Sequence, residues 1–232
     1  WLAPYHPTDD ANLLYADEPP SATFYCGTDS QGRDILSRII YGARISLSVG
    51  LISQGLNSLI GIALGLTAGV FGRWWDDVVM GLTNIMLAIP SIVFALAVMA
   101  LLGPGLINVF VALGFTNWAY SCRITRSQAL SAKSLDYVKA ARALGYGRWR
   151  IMFTQILPNI VGPILVVATL GVAGAILVEA ALSFLGLGVQ PPAPSWGGML
   201  SAAREKLFTA PWISVFPGLA IFITVLSLNL FG

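Results

Sequence analysis

Charged side chains are scarce: only 10% of the 232 residues are Asp, Glu, Lys or Arg, and the formal net charge is +2. A soluble domain carries about 25% charged residues, so much of this chain must face something other than water. So small a net charge gives no sign of a nucleic-acid partner. Histidine is rarer still. His6 is the only one and sits in a polar N-terminal stretch, so neither a His–Asp–Ser relay nor a multi-histidine metal site can be built within the chain. His6 reads as a surface residue. No Gly-x-x-x-x-Gly-Lys-Ser/Thr stretch occurs, which excludes that way of cradling nucleotide phosphates. There are two cysteines, Cys26 and Cys122. The topology derived below separates them, so no disulfide and no thiol chemistry are expected.

What the chain has instead is long runs without charge. Residues 45–72, 78–122, 151–178 and 207–232 contain no Asp, Glu, Lys or Arg. A membrane-spanning helix needs about 20 mostly apolar residues. The second run is too long for one span, and Gly103-Pro104-Gly105 interrupts it with a turn. The pattern predicts an all-α integral membrane protein with five helices, at 45–72, 78–102, 105–122, 159–185 and 212–231. These stretches lack the polar face that soluble core helices show.

Charge also sets the expected orientation. Between residues 123 and 150 lie seven bases (Arg123, Arg126, Lys133, Lys139, Arg142, Arg148 and Arg150) against one acid, Asp136. Lys and Arg accumulate on the cytoplasmic side, so the loop 123–156 is expected inside. Parity then places residues 1–44 and 186–211 outside, and the first 44 residues carry six acids against three bases. Residues 1–44 are read as an outer segment with a pre-membrane helix, and residues 45–232 as a transmembrane domain. Trp1-Leu2-Ala3-Pro4 reads as the tail of a span, so a sixth helix is expected ahead of it.

Two polar stretches stand out. Gly27-Thr28-Asp29-Ser30-Gln31-Gly32-Arg33-Asp34 supplies capping oxygens before Ile35, Leu36, Ile39 and Ile40. That is the ordinary helix-start signal, and it is preferred here to a docking surface for an outer partner. In the basic loop, Ser134 or Asp136 can cap a short helix with Tyr137, Val138, Ala141 and Leu144 on one side and Gly145 as its stop. A second helical piece follows from Arg148 into Pro158. The short helix fits either an interfacial position near anionic lipid or a peg for a soluble partner. Trp74 and Trp75 at the inner boundary, with Trp196 and Trp212 at the outer one, read as an interfacial belt. Gly61, Gly65 and Gly69, four residues apart, permit close helix contact within this chain or with another subunit.

The loop also carries a resemblance. Ala140-Ala141-Arg142-Ala143-Leu144-Gly145, followed by Ile156-Leu157-Pro158, resembles the EAA loop of bacterial ABC-importer permeases. The stretch from Gly27 to Arg38 and the stretch Leu182-Ser183-Phe184-Leu185-Gly186-Leu187-Gly188-Val189-Gln190-Pro191-Pro192, with Ser195-Trp196-Gly197 after it, are similar to the C-type permease of dipeptide, oligopeptide and nickel importers. The resemblance covers essentially the whole chain. Two positions depart from it: Lys139 stands where the motif has its acid, and Gln155 where an apolar residue is usual. Lys139 either meets a compensating acid on a partner or points to solvent.

The resemblance implies a bacterial inner-membrane permease that forms half of a translocation path with a homologous permease. Two ABC ATPases would dock inside, binding ATP and Mg; an extracytoplasmic solute-binding protein would deliver cargo; lipid would surround the whole. No cofactor is expected in this chain, and none of the catalysis. Asp136, Tyr137, Lys139, Ala140, Ala141, Arg142, Leu144 and Gly145 would form the ATPase-coupling helix. The implied cargo is a di- or oligopeptide, with nickel chelate or another small solute as the alternative. Glu179 is the one acid inside an apolar span. It is weighed as a polar point on the solute path against a helix-end carboxylate bonded to its neighbours, and its interfacial depth favours the second. An ion-coupled transporter or channel would usually need more ionisable groups at membrane depth than Glu179 alone, and a non-transporting scaffold has no need of these motifs.

Overall fold

The computed structural model describes residues 3–232; the Trp1-Leu2 portion of the expected N-terminal span tail lies outside them. The fold is organised around α1 (Ile35–Phe71), 37 residues long. It starts where the capping stretch predicts. The Asp34 carboxylate accepts from the Ser37 backbone N–H at 2.8 Å, satisfying one of the orphan donors of the first turn. The helix then runs without interruption through residue 45, so the pre-membrane helix and the first expected span are one element, and the boundary drawn at 44/45 falls inside it.

Around α1 stand α2 (Arg73–Ala88), α3 (Ser91–Leu102), α4 (Leu106–Gly114), α5 (Trp118–Lys133), α6 (Asp136–Ala143) and α7 (Arg148–Ile151), then α8 (Leu157–Phe184), α9 (Trp196–Ala202) and α10 (Trp212–Phe231). Three helical stretches are long and apolar enough to cross a membrane, α1, the α7–α8 rod and α10, and there are four if the bent pair α2–α3 crosses as one span. The expected span 78–102 is a bent pair, α2 and α3, turning by 87° at Ile89-Pro90. Pro90 disfavours helix at Ile89 and cannot continue the hydrogen-bond ladder. The expected span 105–122 is also two pieces. At nine residues α4 is too short to cross a bilayer alone, and α5 continues to Lys133, well into the basic loop.

Two of the three breaks between α2 and α5 are supported by asparagines. At the Gly103–Gly105 turn, where both glycines have positive φ, Asn108 Nδ2 donates to the Leu102 and Gly103 carbonyls at 2.9 and 3.1 Å. At the α4–α5 break, Asn57 of α1 donates from Nδ2 to the Leu113 carbonyl at 3.0 Å and accepts from the Asn117 N–H at 2.9 Å. One buried amide thus supplies partners that an interrupted helix lacks, and buried backbone groups need partners.

The glycine row has a specific use. A Cβ at Gly61 would stand 2.5 Å from Ser121 Cβ, one at Gly69 would stand 2.8 Å from Ala129 Cβ, and one at Gly65 would collide with the Cys122 carbonyl oxygen. The row is the seat of α5 on α1, so its close contact lies within this chain. A two-pronged ion pair fastens α2 to α5 beside it: Arg126 Nε and a terminal guanidinium nitrogen reach the two Asp76 carboxylate oxygens at 2.5 and 2.6 Å.

At the opposite end, the segment before α1 folds into a cap. Asp29 accepts from the Gln31 and Arg33 backbone N–H groups and from Arg33 Nε, and lies 3.5 Å from Arg38 Nε. Arg38 donates to the Pro7 carbonyl, and Lys206 pairs with Asp17. The two tryptophans expected in an outer belt are absorbed here. Trp196 is 3% exposed and donates to the Ile39 carbonyl; Trp212 donates to the Thr28 carbonyl. Trp74, 70% exposed, does face outward.

Candidate functional site

The expected coupling helix is present as α6, but neither expected cap is used. Leu135 occupies the N-cap position without a side-chain bond, and Ser134 Oγ donates back to the Ser131 carbonyl. Asp136 is the first residue of the helix, next to the partial positive charge of its N-terminus. Its side chain is almost fully exposed and accepts from Lys139 Nζ at 2.9 Å. The C-terminus behaves as the sequence indicates. Gly145 has φ +83°, its N–H donates to the Arg142 carbonyl, and the Tyr146 N–H donates to the Ala141 carbonyl. This is a Schellman stop.

The four apolar residues expected on one side are split between two faces. Val138 is fully buried and Ala141 is 6% exposed; they pack into a cluster with Leu66, Val70, Ala129, Ile151 and Ile156. Tyr137 and Leu144 remain open, Leu144 at 75% exposure, together with Leu135, Lys139, Ala140 and Arg142. The buried pair holds the helix on the bundle and the open set presents a surface. Ala141, expected in the docking face, is an anchor to this chain's own core.

Basic groups surround the base of α6. Lys133 Nζ donates to the Gly69 and Val70 carbonyls at 3.2 and 2.9 Å, capping the C-terminus of α1. Burial, with Arg142 and Arg148 nearby, lowers its pKa. These groups line a cavity of about 310 Å³ with Phe71 and Tyr146. Beyond it, Arg150 lies over the Tyr146 ring at 4.0 Å and Trp149 stacks on Phe153. The turn Met152–Ile156 is a wide π turn leading α7 into α8. Pro158 follows it, with no N–H to continue the regular ladder. Gln155, the second departure from the motif, is half-buried on that turn.

Glu179, near the end of α8, is enclosed by its neighbours. It has no exposed surface, accepts from Ser183 Oγ at 2.7 Å, and has Ser46 Oγ at 3.5 Å. Ser46 Oγ in turn accepts from the Trp196 backbone N–H. The carboxyl therefore sits where α1, α8 and α9 meet. A group with no exposed surface cannot touch a passing solute in this conformation, so the geometry makes Glu179 an internal anchor.

Counting charges overlooked a row of uncharged polar residues on α1. Ser46, Ser53, Gln54 and Asn57 are all buried. Ser46, Ser53 and Asn57 follow one another at seven- and four-residue steps, a helical spacing visible in the sequence once polar rather than charged residues are traced. Among the described residues, no cluster of three or more His, Cys, Asp or Glu could hold a metal ion.

Broken, largely apolar helices packed around α1, with a basic loop at one end, define a class: an integral membrane protein. The chain belongs to the family of binding-protein-dependent transport system inner membrane components, whose model matches residues 61–232. It is the permease component of an ABC importer, and the family is one of transport permeases rather than enzymes. Among its relatives, the di/tripeptide transport system permease protein DppC of Pseudomonas aeruginosa is 45% identical over 100% of this chain and 78% of its own length. The dipeptide permease DppC of Alkalihalophilus pseudofirmus is 46% identical over 98% of this chain and 74% of its own. The glutathione transport system permease protein GsiD of Pectobacterium atrosepticum is 42% identical, covering 100% and 77%. Among solved structures, the inward-facing MetNI methionine ABC transporter shares the fold, with TM-score 0.70 at 19% identity over 84% of this chain and 93% of that one.

Proposed function

We propose that this permease carries di- or oligopeptides across the bacterial inner membrane, forming half of the path with a homologous permease. The outward face of α6 docks on one of two ABC ATPases, which bind ATP and Mg and hydrolyse the nucleotide, and a solute-binding protein delivers cargo from outside. The observation that carries the coupling role is the division of α6 into a buried pair, Val138 and Ala141, and an open face around Leu144. A helix bolted to the bundle on one side transmits a push received on the other. The peptide cargo rests on the relatives, which are named for dipeptide, di/tripeptide and glutathione transport.

The deciding experiment is reconstitution of the permease pair with its ATPases and binding protein in liposomes. ATP-dependent uptake of a labelled dipeptide is expected. Uptake of nickel chelate or another solute with no peptide uptake would reject the cargo, and uptake driven by an ion gradient without ATP would reject the mechanism.

The same reading places residues 1–44 and 186–211 outside and the loop 123–156 in the cytoplasm. Cysteines introduced at Leu14 and Phe208, 87% and 101% exposed, should react with a membrane-impermeant thiol reagent in cells with a permeabilised outer membrane. A cysteine at Lys139 should not; its labelling would invert the topology. Background from the native thiols should be low. Cys122 is buried, and burial, with Asp34 nearby, raises the Cys26 thiol pKa and so lowers its reactive thiolate fraction at neutral pH.

Lys139 already has a partner on its own helix, and both groups are mainly exposed. Exposed pairs contribute little. Lys139→Glu should therefore leave complex yield unchanged and ATPase activity stimulated by the binding protein within about twofold of wild type. A tenfold fall, reversed by a charge swap on the ATPase, would instead establish a direct contact with that subunit.

A further inference from the structure

Midway along the two longest helices the protein opens a recess of about 270 Å³ between α1, α5 and α8, lined by Gln54, Asn117, Tyr120, Ser121, Gly171 and Gly174 among others. Gln54 stands 19 residues from Ile35 and 17 from Phe71; Gly171 stands 14 from Leu157 and 13 from Phe184. Both residues lie well inside the expected spans 45–72 and 159–185, so in a bilayer the recess falls within the hydrocarbon layer. Polar groups there must face protein or a water-filled cavity, since lipid offers them no partners. Alongside the recess α4 gives way to α5, so Asn117 sits at a discontinuity in the helix. Broken helices at the midplane are where transporters commonly build solute sites.

The lining has a distinct chemistry. It contains no charged side chain, and it offers two carboxamides, a phenol and a hydroxyl. Gln54 is 4% exposed; its amide donates to Ser58 Oγ at 3.1 Å, and its carbonyl oxygen accepts no hydrogen bond among the described residues. Gly171 makes room for that amide, because a Cβ there would collide with it. Gly174 leaves open space, with nothing within 4 Å of where its Cβ would be.

We propose that this recess is an uncharged subsite on the translocation path that hydrogen-bonds the backbone amide of a passing peptide. The inference rests on the peptide-import reading above. Amide and hydroxyl groups supply both donors and acceptors, as the N–H and C=O of a peptide bond require. The absence of charge leaves the site indifferent to the charge of the cargo's side chains. The peptide bond is also what dipeptides, tripeptides and glutathione, the substrates that name the relatives, have in common.

The test uses the whole complex with its binding protein, ATPases and partner permease in liposomes. Gly174→Trp places an indole in the open space, starting from a Cβ that meets nothing within 4 Å. It should cut dipeptide uptake by more than about tenfold while stimulated ATP hydrolysis stays within about twofold of wild type. Gln54→Glu should raise the uptake ratio of Lys-Ala to Asp-Ala several-fold, a change of preference that a purely structural residue would not cause. Normal uptake by Gly174→Trp overturns the proposal. So does failure of that variant to assemble, which would make this face a contact surface for a second subunit. An unchanged ratio in Gln54→Glu overturns the assignment of Gln54 to the solute. Failure of the wild-type complex to import any peptide would instead strike the functional reading itself.

Discussion

Leu144→Asp should abolish transport while leaving the permease folded in the membrane. Leu144 is 75% exposed, so the substitution disturbs no internal packing and should cost the chain no more than about 0.5 kcal/mol. At a docked face the same side chain would be an apolar anchor. Burying an unpaired carboxylate in its place would cost roughly 2–4 kcal/mol of association, a loss of about 30-fold or more in affinity. The measurement is co-purification of the ATPases with the permease, together with binding-protein-stimulated hydrolysis. Gly145→Pro should give a similar phenotype by another route. Gly145 has φ +83° and its N–H bonds to Arg142, whereas proline fixes φ near about −65° and has no N–H. Ala141→Trp would not be a clean probe of docking. Ala141 is buried beside Val138 in the chain's own core, so that variant should fail by misfolding. Normal co-purification and transport by Leu144→Asp would remove α6 as the ATPase contact.

Glu179→Ala should lower the thermal stability of the purified complex markedly. The carboxyl is fully buried, accepts from Ser183 and has Ser46 within 3.5 Å. Its removal opens a cavity and takes away the acceptor of the Ser183 hydroxyl, together worth about 2–5 kcal/mol. Glu179→Gln keeps the volume and one acceptor oxygen, so it should be mild. The readout is the unfolding midpoint in detergent, followed alongside peptide uptake. If Glu179→Ala kept the wild-type midpoint yet lost uptake, the residue would belong to the solute path rather than to the junction of α1, α8 and α9.

Much of this protein was legible in its residues because the relevant signals are local. The near absence of charge over long runs requires a non-aqueous environment whatever the chain does next. Asp34 before Ile35 starts α1, and the Asp34–Ser37 bond is there. Gly103 and Gly105 mark a turn, and Gly145 stops α6 with the positive φ that glycine adopts without penalty. Pro90 is an equally local signal for the break between α2 and α3, one that a reading of charge-free runs does not register.

The tertiary structure decided which faces meet. Helical periodicity groups Val138, Ala141 and Leu144 together, but only the positions of α1, α5 and α8 make the first two core and leave the third open. The spacing of Gly61, Gly65 and Gly69 indicates close contact without naming the partner, which turns out to be α5 of the same chain. Trp196 looks like a belt residue until Ile39, 157 positions earlier, is seen to accept its indole N–H. Asn57 is one of several polar residues on α1 in the sequence, yet it alone bonds both sides of the α4–α5 break among the described residues. In each case the deciding partner comes from a distant segment. A residue's burial and hydrogen bonds depend on what packs against it, and neighbours in sequence determine only the direction in which it can look.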